Sequence, residues 1–155
     1  MKRKFLIGLI ALVLLAACKS PSKTMSSATG PSFNHLALFV VDLKISVDFY
    51  TRVIGLNPVP DPFNDAKHAW FDMGNHTKLH VIEGAKQKPT VLQNHHFCLS
   101  VPSVQDFITR LEAKKMGYVN AGGKPNEVTI RTDGVKQIYF QDPDGYWIEI
   151  NDDRN

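Results

Sequence analysis

The sequence carries one arrangement twice, and a chain built from two copies of a unit has few folds open to it. The first copy begins at His35 (Asn34-His35-Leu36-Ala37-Leu38-Phe39-Val40) and the second at His96 (His96-Phe97-Cys98-Leu99-Ser100-Val101). Both read H-x-x-L-x-V and both run into a helical pattern. Aligning Phe71 with Phe140 lays Lys78-Leu79-His80-Val81-Ile82 over Trp147-Ile148-Glu149-Ile150-Asn151. His35 then pairs with His96, and His80 with Glu149.

Each copy reads as β-α-β-β-β. Asn34 to Val41 is almost wholly apolar, as a strand covered on both faces requires. Leu43, Val47, Tyr50 and Ile54 follow at helical spacing, with Gly55 as a stop. Strands are expected around Ala69 to Met73 and Lys78 to Glu83, joined by the turn at Gly74-Asn75. In the second copy, His95 to Val101 is a strand and Ser103-Val104-Gln105-Asp106 has the form of a capping box. Val104, Phe107, Ile108 and Leu111 form one helix face, ended by Gly117. Strands near Glu127 to Thr132, Lys136 to Gln141 and Tyr146 to Asn151 follow, and Asp142-Pro143-Asp144-Gly145 makes a turn. The span from His96 to Glu149 exceeds that from His35 to His80 by eight residues, which fit a loop near Ala121 to Glu127. The expected class is α+β, with modules of about 33–85 and 95–152 in one domain of 33–152.

The ends bound the setting. Lys2, Arg3 and Lys4 precede an apolar stretch from Phe5 to Leu15, shorter than the ~20 residues of a membrane span. Leu15-Ala16-Ala17-Cys18 resembles the lipobox of bacterial lipoproteins. That resemblance implies a signal peptide over 1–17, lipidation of Cys18 and a periplasm-facing anchor; Lys19 and Ser20 favour the outer membrane. Residues 18–32, rich in Ser, Thr, Pro and Gly, read as a tether. Without the three basic residues of the leader, 15 basic residues face 15 acidic ones, and no basic run suggests nucleic acid. Cys98 is then the only free thiol, without a disulfide partner, and is expected to be buried.

Side chains two apart on a strand share a face. Four repeat-matched groups on strands, His35, His80, His96 and Glu149, therefore form a candidate metal site. Three imidazoles and a carboxylate suit Zn, Ni, Co, Fe(II) or Mn, whereas Ca and Mg prefer an all-oxygen cage. His68 and His76 fall near expected loops or turns and read as surface residues. His95 adjoins His96, but the pleat sends it to the opposite face.

From Phe33 to Asn151 the sequence resembles the vicinal oxygen chelate superfamily, which includes glyoxalase I, fosfomycin-modifying thiol transferases, extradiol dioxygenases and methylmalonyl-CoA epimerase. The carriers are Asn34-His35-Leu36, Val41-Asp42-Leu43 with Phe49-Tyr50, Leu79-His80-Val81, His96-Phe97, and above all the stretch from Tyr139 to Glu149. The resemblance implies two βαβββ modules in a cupped, barrel-like mixed sheet around a divalent metal held by His35, His80, His96 and Glu149. It also implies a cup formed either within one chain or by exchange of modules in a homodimer.

Glyoxalase I suggests Glu149 as the catalytic base, and the thiol transferases suggest Tyr139 as a substrate contact. Phe39, Cys98 and Trp147 are placed on the pocket wall. Two departures bear on substrate: Phe39 stands where bacterial glyoxalase I usually has Arg, and the chain ends six residues after Glu149, before the phosphonate-binding Arg of the thiol transferases. The expectation is a lipid-anchored, metal-dependent lyase or isomerase acting on a small substrate chelated through vicinal oxygens. A non-catalytic binding module, an extradiol-type dioxygenase with three protein ligands and a fosfomycin-type transferase are the alternatives.

Overall fold

The computed structural model describes residues 30–153. The expected signal peptide, Cys18 and most of the expected tether lie outside the described residues. The first module runs β1 (His35–Val40), α1 (Leu43–Phe49), a π-helical turn (Tyr50–Ile54), β2 (Asn57–Val59), β3 (His68–Gly74) and β4 (Thr77–Glu83). The second runs β5 (His96–Ser100), α2 (Val104–Ala113), β6 (Thr129–Ile130), β7 (Lys136–Gln141) and β8 (Trp147–Asn151). The sheets are ordered β1-β4-β3-β2 and β5-β8-β7-β6, so the repeat extends to topology. In each sheet the first strand pairs in parallel with the last, and the others pair antiparallel.

The helices begin where the sequence provides a cap. The Asp42 carboxylate accepts from the Ile45 N–H at 2.9 Å, and the Ser103 hydroxyl accepts from the Asp106 N–H at 3.1 Å. Each satisfies a donor that the first helical turn leaves open. Gly55 stops the first helix in the left-handed region at φ +89°, and the N–H groups of Gly55 and Leu56 both donate to the Tyr50 carbonyl. The short β2, with Pro58 on an edge strand, escaped the sequence reading: three residues carry no readable alternation.

Alternation gives each sheet a core face and an outer face. Leu38 and Val40 on β1, Leu79 and Val81 on β4, and Phe71 on β3 join Ile138, Phe140, Ile148 and Ile150 of the second module in one core. The helices supply Phe49, Tyr50, Val104, Phe107, Ile108 and Leu111. Burying each large side chain contributes about 1.5–3 kcal/mol.

The β7–β8 turn then ties the modules together. The Asp142 carboxylate accepts from the Tyr50 hydroxyl at 2.6 Å and from the N–H groups of Asp144 and Tyr146 at 2.9 and 2.8 Å. Asp144 accepts from the Val41 N–H at 2.8 Å and the Ser46 hydroxyl at 3.3 Å. Burial pushes the Asp142 carboxyl above its ordinary pKa, although its hydrogen bonds oppose the shift.

Candidate metal centre

Register places the four sequence-predicted ligands in matching pairs. Ala37 lies opposite His80, and Cys98 lies opposite Glu149. His35 and His96 each stand two residues earlier on the same strands, so each pair is diagonal across a first-strand/last-strand ladder. All four are on the outer faces, turned away from the shared core.

In the second module the pair is already joined. His96 Nε2 lies 3.1 Å from Glu149 Oε2. The Tyr139 hydroxyl donates to Glu149 Oε2 at 2.6 Å, and Asn151 Nδ2 donates to Oε1 at 2.9 Å. Gln137 Nε2 donates to the Tyr139 hydroxyl at 2.7 Å, and the Ser100 hydroxyl donates to Asn151 Oδ1 at 3.2 Å. Burial pushes the Glu149 carboxyl upward, but hydrogen bonds from Tyr139, Asn151 and Cys98, with the His96 charge, bring it below its ordinary value. The same surroundings raise Tyr139 through burial and its bond to Glu149. Loss of water around the thiol itself, then the Glu149 charge, pushes Cys98 up to about 12, although the residue as a whole is exposed. Cys98 therefore stays a neutral thiol at neutral pH.

The first module holds its pair differently. The His35 and His80 rings are 5.9 Å apart. Trp70 lies flat on His80 at 3.7 Å between ring centroids and meets His35 edge-on at 5.3 Å. His80 is 7% exposed, and its Nε2 has no hydrogen-bond partner. Burial lowers its pKa, followed by the charges of His68 and His35.

These residues fit a divalent ion on three structural grounds. Each first-strand imidazole is anchored through Nδ1, His35 to Asn34 Oδ1 at 2.8 Å and His96 to the Gln93 carbonyl at 2.7 Å. A carbonyl oxygen can only accept, so both Nδ1 atoms carry a proton and each Nε2 is the ring atom left to face a metal, which at His96 would replace the contact with Glu149. Two ligands at metal distances of ~2.0–2.2 Å stand roughly 3 Å apart, close to the His96–Glu149 separation. The orphaned His80 Nε2 lacks a partner that a metal would supply.

Among the described residues the two halves do not close into one cluster: no three of His35, His80, His96 and Glu149 bring their ligand atoms within 4.8 Å of one another. β1 and β5 each form one edge of their sheet, opposite β2 and β6. The Asn34 and Val40 carbonyls bond toward β4, so the backbone groups of His35, Ala37 and Phe39 face the open side. The Tyr146 hydroxyl covers that edge at Phe39, accepting from its N–H at 3.3 Å and donating to its carbonyl at 3.0 Å.

Residues 32–150 match the glyoxalase/bleomycin resistance protein/dioxygenase superfamily. The chain belongs to this superfamily. It is 28% identical over 152 residues to a lactoylglutathione lyase of Pseudomonas putida, covering 76% of this chain and 83% of that one. It is 29% identical over 130 residues to a lactoylglutathione lyase of Escherichia coli O157:H7, covering 78% and 92%. Among solved structures it resembles a glyoxalase/dioxygenase from Nostoc punctiforme (23% identity, 88% and 100% covered, TM-score 0.67). It also resembles the oxidase ChaP-H1 (21% identity, 81% and 98% covered, TM-score 0.64). These two likenesses concern the fold alone. Superfamily membership fits the paired modules and brings with it a general use of divalent metals.

The remaining sequence-predicted residues have mixed placements. Tyr139 touches Glu149, as stated. Phe39 is 50% exposed on the ligand face of β1, against Gly84. Trp147 is half-buried and donates through Nε1 to the Val91 carbonyl at 3.0 Å. Cys98 shares the His96 face but is exposed, contrary to the expectation of burial, because that outer face is not part of the core. His68 is not a surface loop residue: it begins β3, its side chain is 19% exposed, and its ring lies 5.2 Å from His80. Its alternation with Trp70 was the available signal, hidden by the misplaced start of the strand. His76 is exposed in the turn, as expected.

Proposed function

We propose that this chain is a divalent-metal-dependent, glyoxalase-like lyase or isomerase whose site is completed by a second copy. The observation that carries the reading is the pairing of ligands into halves beside open sheet edges. His35 and His80 come from one copy, and His96 and Glu149 from the other. Bound there, the ion would act as a Lewis acid that stabilises negative charge on a substrate chelated through two neighbouring oxygens.

The chain's own residues supply the rest. His96 and His35 present Nε2 in orientations fixed by their Nδ1 anchors. Tyr139 and Asn151 hold the Glu149 carboxylate ionised and aimed. Glu149, one of the residues that would hold the ion, is also the candidate base for taking a proton from the substrate carbon. Tyr139, donating to the same oxygen, is then free to turn toward the substrate. Phe39 and Trp147 line the approach with apolar surface and limit water.

Subunit complementation tests this assignment. A variant broken in the first half (His35→Ala with His80→Ala) is mixed with one broken in the second (His96→Ala with Glu149→Gln). Exchange of solvent protons into 2-hydroxycarbonyl compounds is measured. If halves are shared, random reassortment restores roughly a quarter of wild-type activity, because half the dimers carry one intact site of two. No recovery, with dimers confirmed, sinks the shared site.

A second reading keeps His80 off the ion and leaves His35, His96 and Glu149 as a facial set suited to dioxygen chemistry. The flat stacking of His80 on Trp70 favours it. Metal affinity unchanged by His80→Ala would select this reading.

A further inference from the structure

The hydrogen-bonded lock between the modules has an open counterpart. Asp142, Asp144 and Tyr146 of the β7–β8 turn reach Tyr50, Ser46, Val41 and Phe39 of the first module. The repeat that lays His80 over Glu149 also lays Met73, Asn75 and Thr77 over Asp142, Asp144 and Tyr146. The match of His35 with His96 likewise lays Ser100, Pro102 and Phe107 over Phe39, Val41 and Ser46. Met73, Asn75, Thr77, Ser100 and Phe107 all line one cavity of about 500 Å³, with Ile54 and Leu56 among its apolar walls. The place that is bonded shut at β1 is therefore a cavity at β5.

The residue types explain why no second lock forms. Pro102 has no N–H, so a carboxylate placed as Asp144 is would find no donor there. Met73 is apolar where Asp142 is charged, and Leu111 stands where the first module has Tyr50. Thr77 is far shorter than Tyr146, and its hydroxyl already donates to the Gly74 carbonyl at 2.7 Å. The strand edge nevertheless keeps its polar groups. The Val101 N–H donates to the Asn151 carbonyl at 2.7 Å, so the N–H and C=O of Ser100, one residue earlier, turn to the open side of β5. At the equivalent Phe39, the Tyr146 hydroxyl accepts from the N–H at 3.3 Å and donates to the carbonyl at 3.0 Å. Apolar walls around one convergent donor and acceptor, in a volume of this size, are what small-molecule sites are made of.

We propose that this cavity binds a small phenol, whose hydroxyl accepts from the Ser100 N–H and donates to the Ser100 carbonyl as Tyr146 does at Phe39. The ring of the phenol lies against Leu56, Met73 and Phe107. Such a ligand brings to β5 from solution the bond that the chain makes for itself at β1. The Ser100 hydroxyl donates to Asn151, which in turn donates to Glu149, so the cavity adjoins the candidate base without using any candidate metal ligand. The site stands whether or not a metal binds.

Titration of the full chain with para-ethylphenol, in the presence of a chelator, tests the site through backbone-amide and methyl NMR shifts. Saturable shifts are expected at Ser100, Met73 and Thr77. Para-ethylanisole, which can accept a hydrogen bond but cannot donate one, should bind about 10-fold more weakly. Thr77→Tyr sets a phenol where the repeat places Tyr146 and should abolish binding. Met73→Trp, which fills the cavity from β3, should do the same and guards against a Thr77 variant that fails to fold; circular dichroism reports the folding of each. The proposal is overturned by the absence of saturable shifts, by shifts centred on His35 and Tyr139, by equal affinity for the anisole, or by binding unchanged in a folded variant. No metal and no second copy enters this experiment, so failure of subunit complementation leaves its outcome untouched.

Discussion

The two modules share a topology and a diagonal of candidate ligands, yet they hold their halves of the proposed metal centre in opposite ways. In the second module both Glu149 oxygens are engaged, in a run from Ser100 and Asn151 to Tyr139 and Gln137. In the first, His80 is wedged against Trp70 and its Nε2 has nothing to bond. One half is organised by hydrogen bonds before any ion arrives, and the other by aromatic packing around an unmet need. A repeat therefore conserves where ligands stand without conserving what holds them there.

Removing the charged ligand should separate the halves most sharply. Glu149→Gln is expected to lower affinity at the shared site by more than about 100-fold, since a charged ligand is lost from a site whose supporting contacts alone are worth 10–100-fold. Competitive chelator titration reads this. The same variant should change acid stability with a definite sign. Glu149 has a folded pKa below its ordinary value of 4.5, so its stabilisation is present above that value and lost as pH falls through the lower one. The variant should lose stability near neutral pH and show a flatter acid limb. An unchanged limb would mean that the hydrogen bonds around Glu149 do not favour its charge.

Trp70→Ala tests the aromatic half. Loss of a half-buried indole stacked on His80 should cost about 2 kcal/mol in denaturant unfolding, below the 3–5 kcal/mol of a fully buried Trp. His96–Glu149 geometry should survive, visible as an unshifted His96 imidazole resonance. A shifted resonance would show that the halves communicate through the core.

Tyr139→Phe has the smallest expected effect. It deletes one donor to Glu149 and leaves Asn151 in place, so metal affinity should fall about 10-fold with little change in unfolding free energy. A loss as large as that of Glu149→Gln would make Tyr139 a direct participant.

The relative placement of the four candidate ligands was readable because it depends on strand period. Once His35 was matched to His96 and His80 to Glu149, alternation fixed their common face, and the ladders place them on one diagonal. The capping residues Asp42 and Ser103 and the stop at Gly55 were equally local and equally legible. What depends on tertiary placement was not. Alternation cannot say whether two outer faces converge, and the four ligands stay in two pairs. Cys98 was read as buried from the reactivity of a lone thiol, but its neighbours are set by a face outside the core. His68 was hidden because the residues before β3 look like loop and are fastened by side-chain bonds, which leave no periodic trace.

The Tyr146 hydroxyl has a consequence beyond joining the modules. It occupies both backbone groups of Phe39, and Asp144 takes the N–H of Val41. The second half of β1 is thus closed to strand addition, while the His35 and Ala37 backbone groups remain on offer. Any incoming strand must dock beside His35 and cannot slide along the edge. An exposed edge that would otherwise invite indiscriminate sheet growth is shortened to a two-residue berth next to a proposed metal ligand.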